Sequence, residues 1–191
     1  MFSADEVANI HGTALRVLQD LGIKVLLPEA RTILATAGAR IDDDMVFIGA
    51  DLVDTALRTV PKSIRIRAAN PLREQTYAEG AMLFQGGAGC PNVTDRIRGR
   101  RPGSLASFIE TTKLHQTYDV IHLLGPSAEP QDVPVHLRHY AMMQAQMQWS
   151  DKPMFVYARG SAQVNQSLEL IRIGLNLTDA DFRDGVWAFS V

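Results

Sequence analysis

Apolar and polar positions along the second half of the chain fall into one motif that recurs four times, an apolar strand followed by a segment of helical period. The strand cores are MLFQ (82–85), VIHLL (120–124), PMFVYA (153–158) and GVWAFSV (185–191). Strands alternating with helices predict parallel strands joined by right-handed crossovers, because a parallel neighbour cannot be reached by a tight turn. The spacing of roughly 30 to 40 residues matches one βα unit of a (β/α)8 TIM barrel. The intervening helices are expected over 104–117, 133–149 and 162–175, with Ser104 and Asp132 as N-caps of the first two and Pro134 in the first turn of the second. Four units make half a barrel, and a half barrel leaves two open edges of buried-type strand, which natural proteins avoid. The chain therefore reads as the front part of a longer enzyme.

Ahead of the repeats the periods are shorter. Ser3 and Glu6 fit a capping box, with Phe2 and Val7 placed to staple the helix entry. Val7, Ile10, Ala14, Leu18 and Leu21 then form one apolar stripe, which Gly22 ends. A second helix is expected over 28–37, with Pro28 in its first turn and Gly38 after it, and a third around Leu52, Val53, Ala56 and Leu57, closed by Pro61. Brief strands are expected at 45–48 and 64–67, where Ile64 and Ile66 alternate with Arg65 and Arg67. Apolar periodicity lapses in RAANPLREQTYAEGA, which marks a junction. The expected fold class is α/β: an N-terminal α+β cap over 1–78, then the first four βα units of the barrel over 79–191.

Composition narrows the partners. At 46% hydrophobic and 21% charged, the 191 residues are those of an ordinary globular protein. A formal net charge of −2 provides no basic field for phosphate backbones, so nucleic acid is a poor partner. No run approaches the roughly 18 to 20 apolar residues that cross a bilayer, and the start lacks a basic region followed by an apolar one. Cytoplasm is the expected location, and a single cysteine, Cys90, agrees with a reducing compartment.

Several phrases together resemble the trimethylamine methyltransferase family, corrinoid-dependent methyltransferases whose archetype carries pyrrolysine. They are HGTALRVLQDLGIKV, AGARIDDDMVFIGADLVDTALRTVP, QGGAGCPNVTD with RGRRPGSLASF, and PQDVPVHLRHYAMM with DKPMF. Their order and spacing match over nearly the whole chain, although Ser107 stands where the motif leads one to expect aspartate. The resemblance implies a (β/α)8 barrel more than twice this length. It also implies methyl transfer from trimethylamine or a quaternary amine such as glycine betaine to the cobalt of a corrinoid. That cofactor would be carried by a separate small protein and not held tightly by this chain. The archetype's pyrrolysine belongs to the later barrel half.

Barrel enzymes build their sites at the C-terminal ends of the strands. After the first core stand Gln85, Gly86, Gly87 and Gly89, whose backbone could line a polar pocket or make a tight turn. The spacing is not that of a dinucleotide fingerprint. Ser127 follows the second core in a Gly-Pro-Ser turn. Tyr157 and Arg159 share one side of the third: the ring suits a quaternary ammonium and the guanidinium a carboxylate, as a betaine would offer. Trp187 and Ser190 come from opposite sides of the fourth. His136 and His139 lack a third metal ligand, and Cys90 reads as a small buried thiol. Arg96, Arg98, Arg100 and Arg101 read as a solvated loop, with docking to an acidic partner or to corrinoid phosphate as the alternative. Two other functions stay open: a barrel lyase or hydrolase using the glycine loop for an anion, and a short non-catalytic binding module that dimerises to complete a barrel. Homo-oligomerisation is likewise open.

Overall fold

The first helix starts where Ser3 and Glu6 satisfy each other's backbone. The Ser3 hydroxyl accepts from the Glu6 amide at 3.3 Å, and the Glu6 carboxylate accepts from the Ser3 amide at 2.7 Å. In the structure, a computed structural model describing residues 2–126 and 128–190, this box opens α1 (Ala4–Arg16). The chain continues through one π-helical turn, Val17–Leu21, and stops at Gly22, whose φ of 71° and approach to Val46 leave no room for a side chain. β1 (Ile23–Lys24), α2 (Pro28–Thr36), β2 (Arg40–Asp42), β3 (Met45–Phe47) and α3 (Ala50–Thr59) follow, with an antiparallel sheet in the order β1-β3-β2 around buried Val46. The expected staple is not formed, since Phe2 and Val7 are both exposed. Leu18 is half-buried while Val7, Ile10, Ala14 and Leu21 are exposed. The π turn explains part of this, because it frees the Leu18 carbonyl to accept from the Ile48 amide at 2.9 Å.

Met1–Pro61 is one compact unit and Lys62–Val191 a second. The second opens with an antiparallel hairpin, β4 (Ser63–Ile66) and β5 (Gln75–Ala78), bridged by a 3-10 turn, Pro71–Arg73. β5 lies where apolar periodicity lapses because ion pairs support it: the Glu74 carboxylate at its edge takes Arg65 at 2.5 Å and Arg67 at 3.2 Å. A further hairpin, β6 (Asn92–Asp95) and β7 (Gly99–Pro102), turns through residues 96–98 with Gly99 at φ 66°, the left-handed residue of a three-residue hairpin loop. The arginine run therefore sits on a hairpin and not in a loose loop. Then come α4 (Leu105–Thr117), a 3-10 turn Val135–Leu137, α5 (Arg138–Trp149), β8 (Met154–Phe155), α6 (Ser161–Gly174), α7 (Asp179–Arg183) and β9 (Ala188–Phe189).

These elements make an α/β arrangement. β8 and β9 pair in parallel, Gln85 bridges Leu123 in parallel, and the Leu124 amide donates to the Pro153 carbonyl at 3.1 Å. The four expected strand cores are thus neighbours in chain order, but the first two meet in a single bridge instead of a ladder. One rung is replaced by a side chain: the Phe84 amide donates to His122 Nδ1 at 3.0 Å. The far edge is partly covered, because Ile66 bridges Val186 in parallel and the Arg67 amide donates to the Val186 carbonyl at 2.8 Å.

α5 packs between α4 and α6 and is buried on several sides, through His139, Met142, Met143, Ala145 and Gln146. Leu124, Met143, Met154, Val156 and Ile171 form one core cluster; Phe108, Met142 and Ala145 form another, against Tyr157. Each such side chain contributes about 1.5–3 kcal/mol when fully buried. Gln146 acts as a substitute strand, its amide accepting from the Phe155 N–H at 2.8 Å and donating to the Phe155 carbonyl at 2.9 Å. Asp132 does not cap the helix that follows it. Pro130 and Pro134 delay that helix to Arg138, and the Asp132 carboxylate instead accepts from the Leu105 amide at 2.8 Å, capping α4 together with Ser104. Among the described residues no helix is long and apolar enough to cross a membrane.

Just before β8 stands a buried cation. The Lys152 ammonium, 2% exposed as a residue, donates to the carbonyls of His115 at 2.7 Å, Tyr118 at 2.8 Å and Ile121 at 2.7 Å. All three of its protons are used, two of them on the last turn of α4, where the helix dipole is negative. Replacing Lys152 with Met keeps the stem but orphans three carbonyls. Urea unfolding is expected to show a loss of about 3–5 kcal/mol with an unchanged denaturant slope.

Candidate active site at the strand ends

The loops that leave the strand cores are held together by one phenol and one carboxylate. Tyr157, at the end of the third core, donates its hydroxyl to the Pro126 carbonyl at 2.8 Å, joining the second and third loops. Burial, reinforced by the nearby Glu129 charge, pushes its pKa well above the usual phenol range, so the ring stays neutral. Glu129 lies two residues beyond Ser127, which falls outside the described residues. Its carboxylate takes both terminal nitrogens of Arg159 at 2.5 Å and Arg138 at 3.1 Å, while its amide donates to the Cys90 carbonyl at 2.8 Å. The Arg159 hydrogen bonds hold the Glu129 carboxyl below its ordinary value, outweighing the opposing effect of burial.

Backbone conformation fixes this loop as tightly as charge does. Ala128 is fully buried at φ 81°, a left-handed conformation that costs a side chain about 1–2 kcal/mol. Gly103, at the foot of the β6–β7 hairpin, passes so close that a Cβ there would lie 2.5 Å from the Glu129 carbonyl oxygen.

The expected site residues divide into groups. Gly89, at φ 78°, Tyr157 and Arg159 come together, with the Arg159 guanidinium carbon 5.4 Å from the Tyr157 ring centre. Gln85 and Ser190 meet elsewhere, on a mostly apolar cleft of about 440 Å³ shared with Ile66, Leu123 and Val186. Gly86 is a packing glycine: a Cβ there would lie 2.0 Å from the His115 ring and 2.9 Å from the Gly125 carbonyl oxygen. Around Gly87 a Cβ would meet nothing within 4 Å. Trp187 is not brought to Tyr157. Its indole donates to the Asp181 carbonyl at 3.1 Å and lies under Arg67. Cys90 is exposed, not buried, because its carbonyl and not its thiol is turned toward Glu129.

Glu129, Arg138 and His115 were not anticipated. The available signal for Glu129 was a lone carboxylate in the proline-flanked stretch PSAEP immediately after a strand core. His139 is buried and its Nε2 lies 2.7 Å from Gln166 Oε1. Among the described residues no three His, Cys, Asp or Glu side chains converge for a metal.

Residues 1–188 match the family model described as trimethylamine methyltransferase (MTTB). A glycine betaine methyltransferase of Desulfitobacterium hafniense (strain Y51) is 26% identical over 91% of the chain and 36% of its own length. A proline betaine:corrinoid methyltransferase of Eubacterium limosum is 26% identical over 85% of the chain and 34% of its own. A trimethylamine methyltransferase of Desulfitobacterium hafniense (strain DSM 10664 / DCB-2) is 35% identical over 69% of the chain and 27% of its own. The chain thus spans about a third of the length of these relatives, as the 36%, 34% and 27% shares state.

Close backbone approach at Gly86 makes a testable contrast. Gly86→Ala is expected to lower stability by about 1–3 kcal/mol through the clash with His115, whereas Gly87→Ala stays within about 0.5 kcal/mol, both read by thermal or urea unfolding. Acid should act through Glu129. Its folded-state pKa is lowered, so its contribution is full above the ordinary carboxylate value of 4.5 and is lost as pH falls through the lower folded value. The stability gap between the unmodified protein and Glu129→Gln should therefore be constant from pH 7 to pH ~5 and shrink below pH ~4, measured by denaturation at each pH.

Proposed function

Because the chain belongs to the trimethylamine methyltransferase family, we propose that it is the front part of an enzyme moving a methyl group from a methylated or quaternary amine to the cobalt of a corrinoid carried by a small partner protein. The match over residues 1–188 carries this reading. Within it, 1–78 is an α+β cap and 79–191 the first four βα units of a (β/α)8 barrel. The chain-order succession of the strand cores, parallel wherever a pairing gives a sense, supports the barrel. The reaction suits a reducing cytoplasm, where cobalt can be kept nucleophilic.

In transfer from a quaternary ammonium, cobalt supplies the electron pair of the new methyl bond and the nitrogen leaves with the pair of the old one, becoming a neutral amine, and no proton moves. Trimethylamine balances in the same way only as its protonated ammonium, which leaves as neutral dimethylamine. The enzyme therefore needs orientation and a tolerated cation more than an acid–base pair. The strand-end loops would provide both, with the Tyr157 ring toward the ammonium and the outer edge of Arg159 toward a donor carboxylate. Gln85, Gly86, Gly87, Gly89, Ser127, Trp187 and Ser190 complete the proposed donor- or corrinoid-facing set. The relative covering 91% of the chain is named for glycine betaine, which makes a carboxylate-bearing donor the first to try.

The full-length protein is assayed with free cob(I)alamin and a panel of glycine betaine, proline betaine, carnitine and trimethylamine. Methylcobalamin formation with at least one donor is expected. Transfer from none of them would overturn the reading.

A further inference from the structure

The β6–β7 hairpin separates its arginines into two kinds. Arg98 and Arg101 are neutralised by Asp95 and Glu110: Arg98 reaches Asp95 at 2.7 Å and Glu110 at 2.9 Å, and Arg101 reaches Asp95 at 2.5 Å. The Asp95 carboxylate also accepts from the Ile97 and Arg98 amides at 3.0 Å and 2.7 Å, which stiffens the turn. Two arginines against two carboxylates leave no charge over. Arg96 and Arg100 are different: both are exposed, and neither makes an ion pair among the described residues. Between them Ile97 is 94% exposed, an apolar side chain at the tip of a cationic finger.

The foot of the hairpin is clamped to the mouth. The Gly103 amide donates to the Pro91 carbonyl at 2.9 Å, the Gln131 amide to the Gly103 carbonyl at 3.1 Å, and the Gln131 side chain to the Pro91 carbonyl. The Glu129 amide reaches the Cys90 carbonyl at 2.8 Å on the same segment. The finger is therefore held in a set position relative to Tyr157 and Arg159.

We propose that Arg96, Ile97 and Arg100 form a docking finger for an acidic surface of the protein that carries the corrinoid. This rests on the methyl-transfer reading for the partner's identity. The exposed Ile97 favours a protein over a free anion, because inorganic phosphate gains nothing from an apolar neighbour. Two free cations on a chain of net charge −2 are too few for a nucleic acid. A pair of rim arginines suits steering and registering an acidic partner, whose encounter then depends on salt.

The test uses the full-length protein and the source organism's small corrinoid-binding protein loaded with cob(I)alamin. Binding is measured by titration at low and high salt, and methyl transfer is measured to the loaded carrier and to free cob(I)alamin. The double variant Arg96→Glu, Arg100→Glu is expected to weaken carrier binding about tenfold, flatten its salt dependence, and leave transfer to free cob(I)alamin unchanged. Ile97→Ser should weaken binding without altering the salt dependence. Unchanged carrier binding in the double variant would overturn the proposal, as would failure of the unmodified protein to bind the carrier at all. A protein that binds the carrier but methylates neither acceptor counts against the methyl-transfer reading, while the effect of the double variant on binding still decides the docking.

Discussion

One buried ammonium group ties three segments of the second unit together. Lys152 stands just before the third strand core, yet its three acceptors come from the end of α4, from Tyr118 just after it, and from Ile121 within the second core. A charge removed from water costs several kcal/mol unless its bonds are replaced, so it is stable only where all three carbonyls are in place. The neighbouring side chains extend the same logic. Asp151 accepts from Asn70 at 2.9 Å and from Gln116 at 2.8 Å, and Gln116 accepts from Ser150 at 2.7 Å. Helix end, connection and strand start are therefore fixed by a polar floor, while the apolar clusters around α5 supply the bulk of the burial.

The strand ends are organised by a different device with the same economy. Glu129 receives two guanidinium groups from separate elements, and its backbone joins a third loop. Tyr157 adds a neutral tie from the end of the third core to the second loop. Loops with few apolar residues can thus hold a defined shape without a core of their own. The buried left-handed Ala128 indicates how firmly they are held, since such a conformation persists only where its surroundings insist on it.

Hydrophobic period made the helices and the order of the strand cores legible, because burial of α4, α5 and α6 depends on the same faces that the pattern reports. It could not show β1, β2, β5, β6, β7 or the five-residue α7: two to five residues are too few for a period to register, and β5 is supported by Glu74 instead of by apolar contacts. Capping was half legible. Ser104 and the Ser3–Glu6 box were readable from spacing, but the target of Asp132 was not, because it reaches 27 residues back to Leu105. The same limit applies to the site. Tyr157 and Arg159 lie past the end of β8, with the Arg159 amide donating to the Tyr157 carbonyl at 2.9 Å, so strand alternation does not describe their placement. The Arg159–Glu129 and Lys152–His115 contacts span 30 and 37 residues, which no local pattern encodes. Ser107, the departure from the family motif, lies with its hydroxyl 3.4 Å from Arg101, where an aspartate would add to the pair that arginine already makes with Asp95.

The charge arithmetic of the mouth bears on what it can accept. A quaternary ammonium seated about 7 Å from a bare guanidinium would be repelled by roughly 2 kcal/mol at an effective dielectric constant of about 20, comparable to the whole attraction of one aromatic ring. Glu129 removes most of that cost for Arg159 by taking both of its terminal nitrogens, and Arg138 leaves a net positive charge. A donor bearing only a cation gains little from such a pair of neighbours. On the proposed reading, a donor that also carries a carboxylate would offset that remaining charge. The one carboxylate that pairs both arginines thus sets the charge balance at these loop ends.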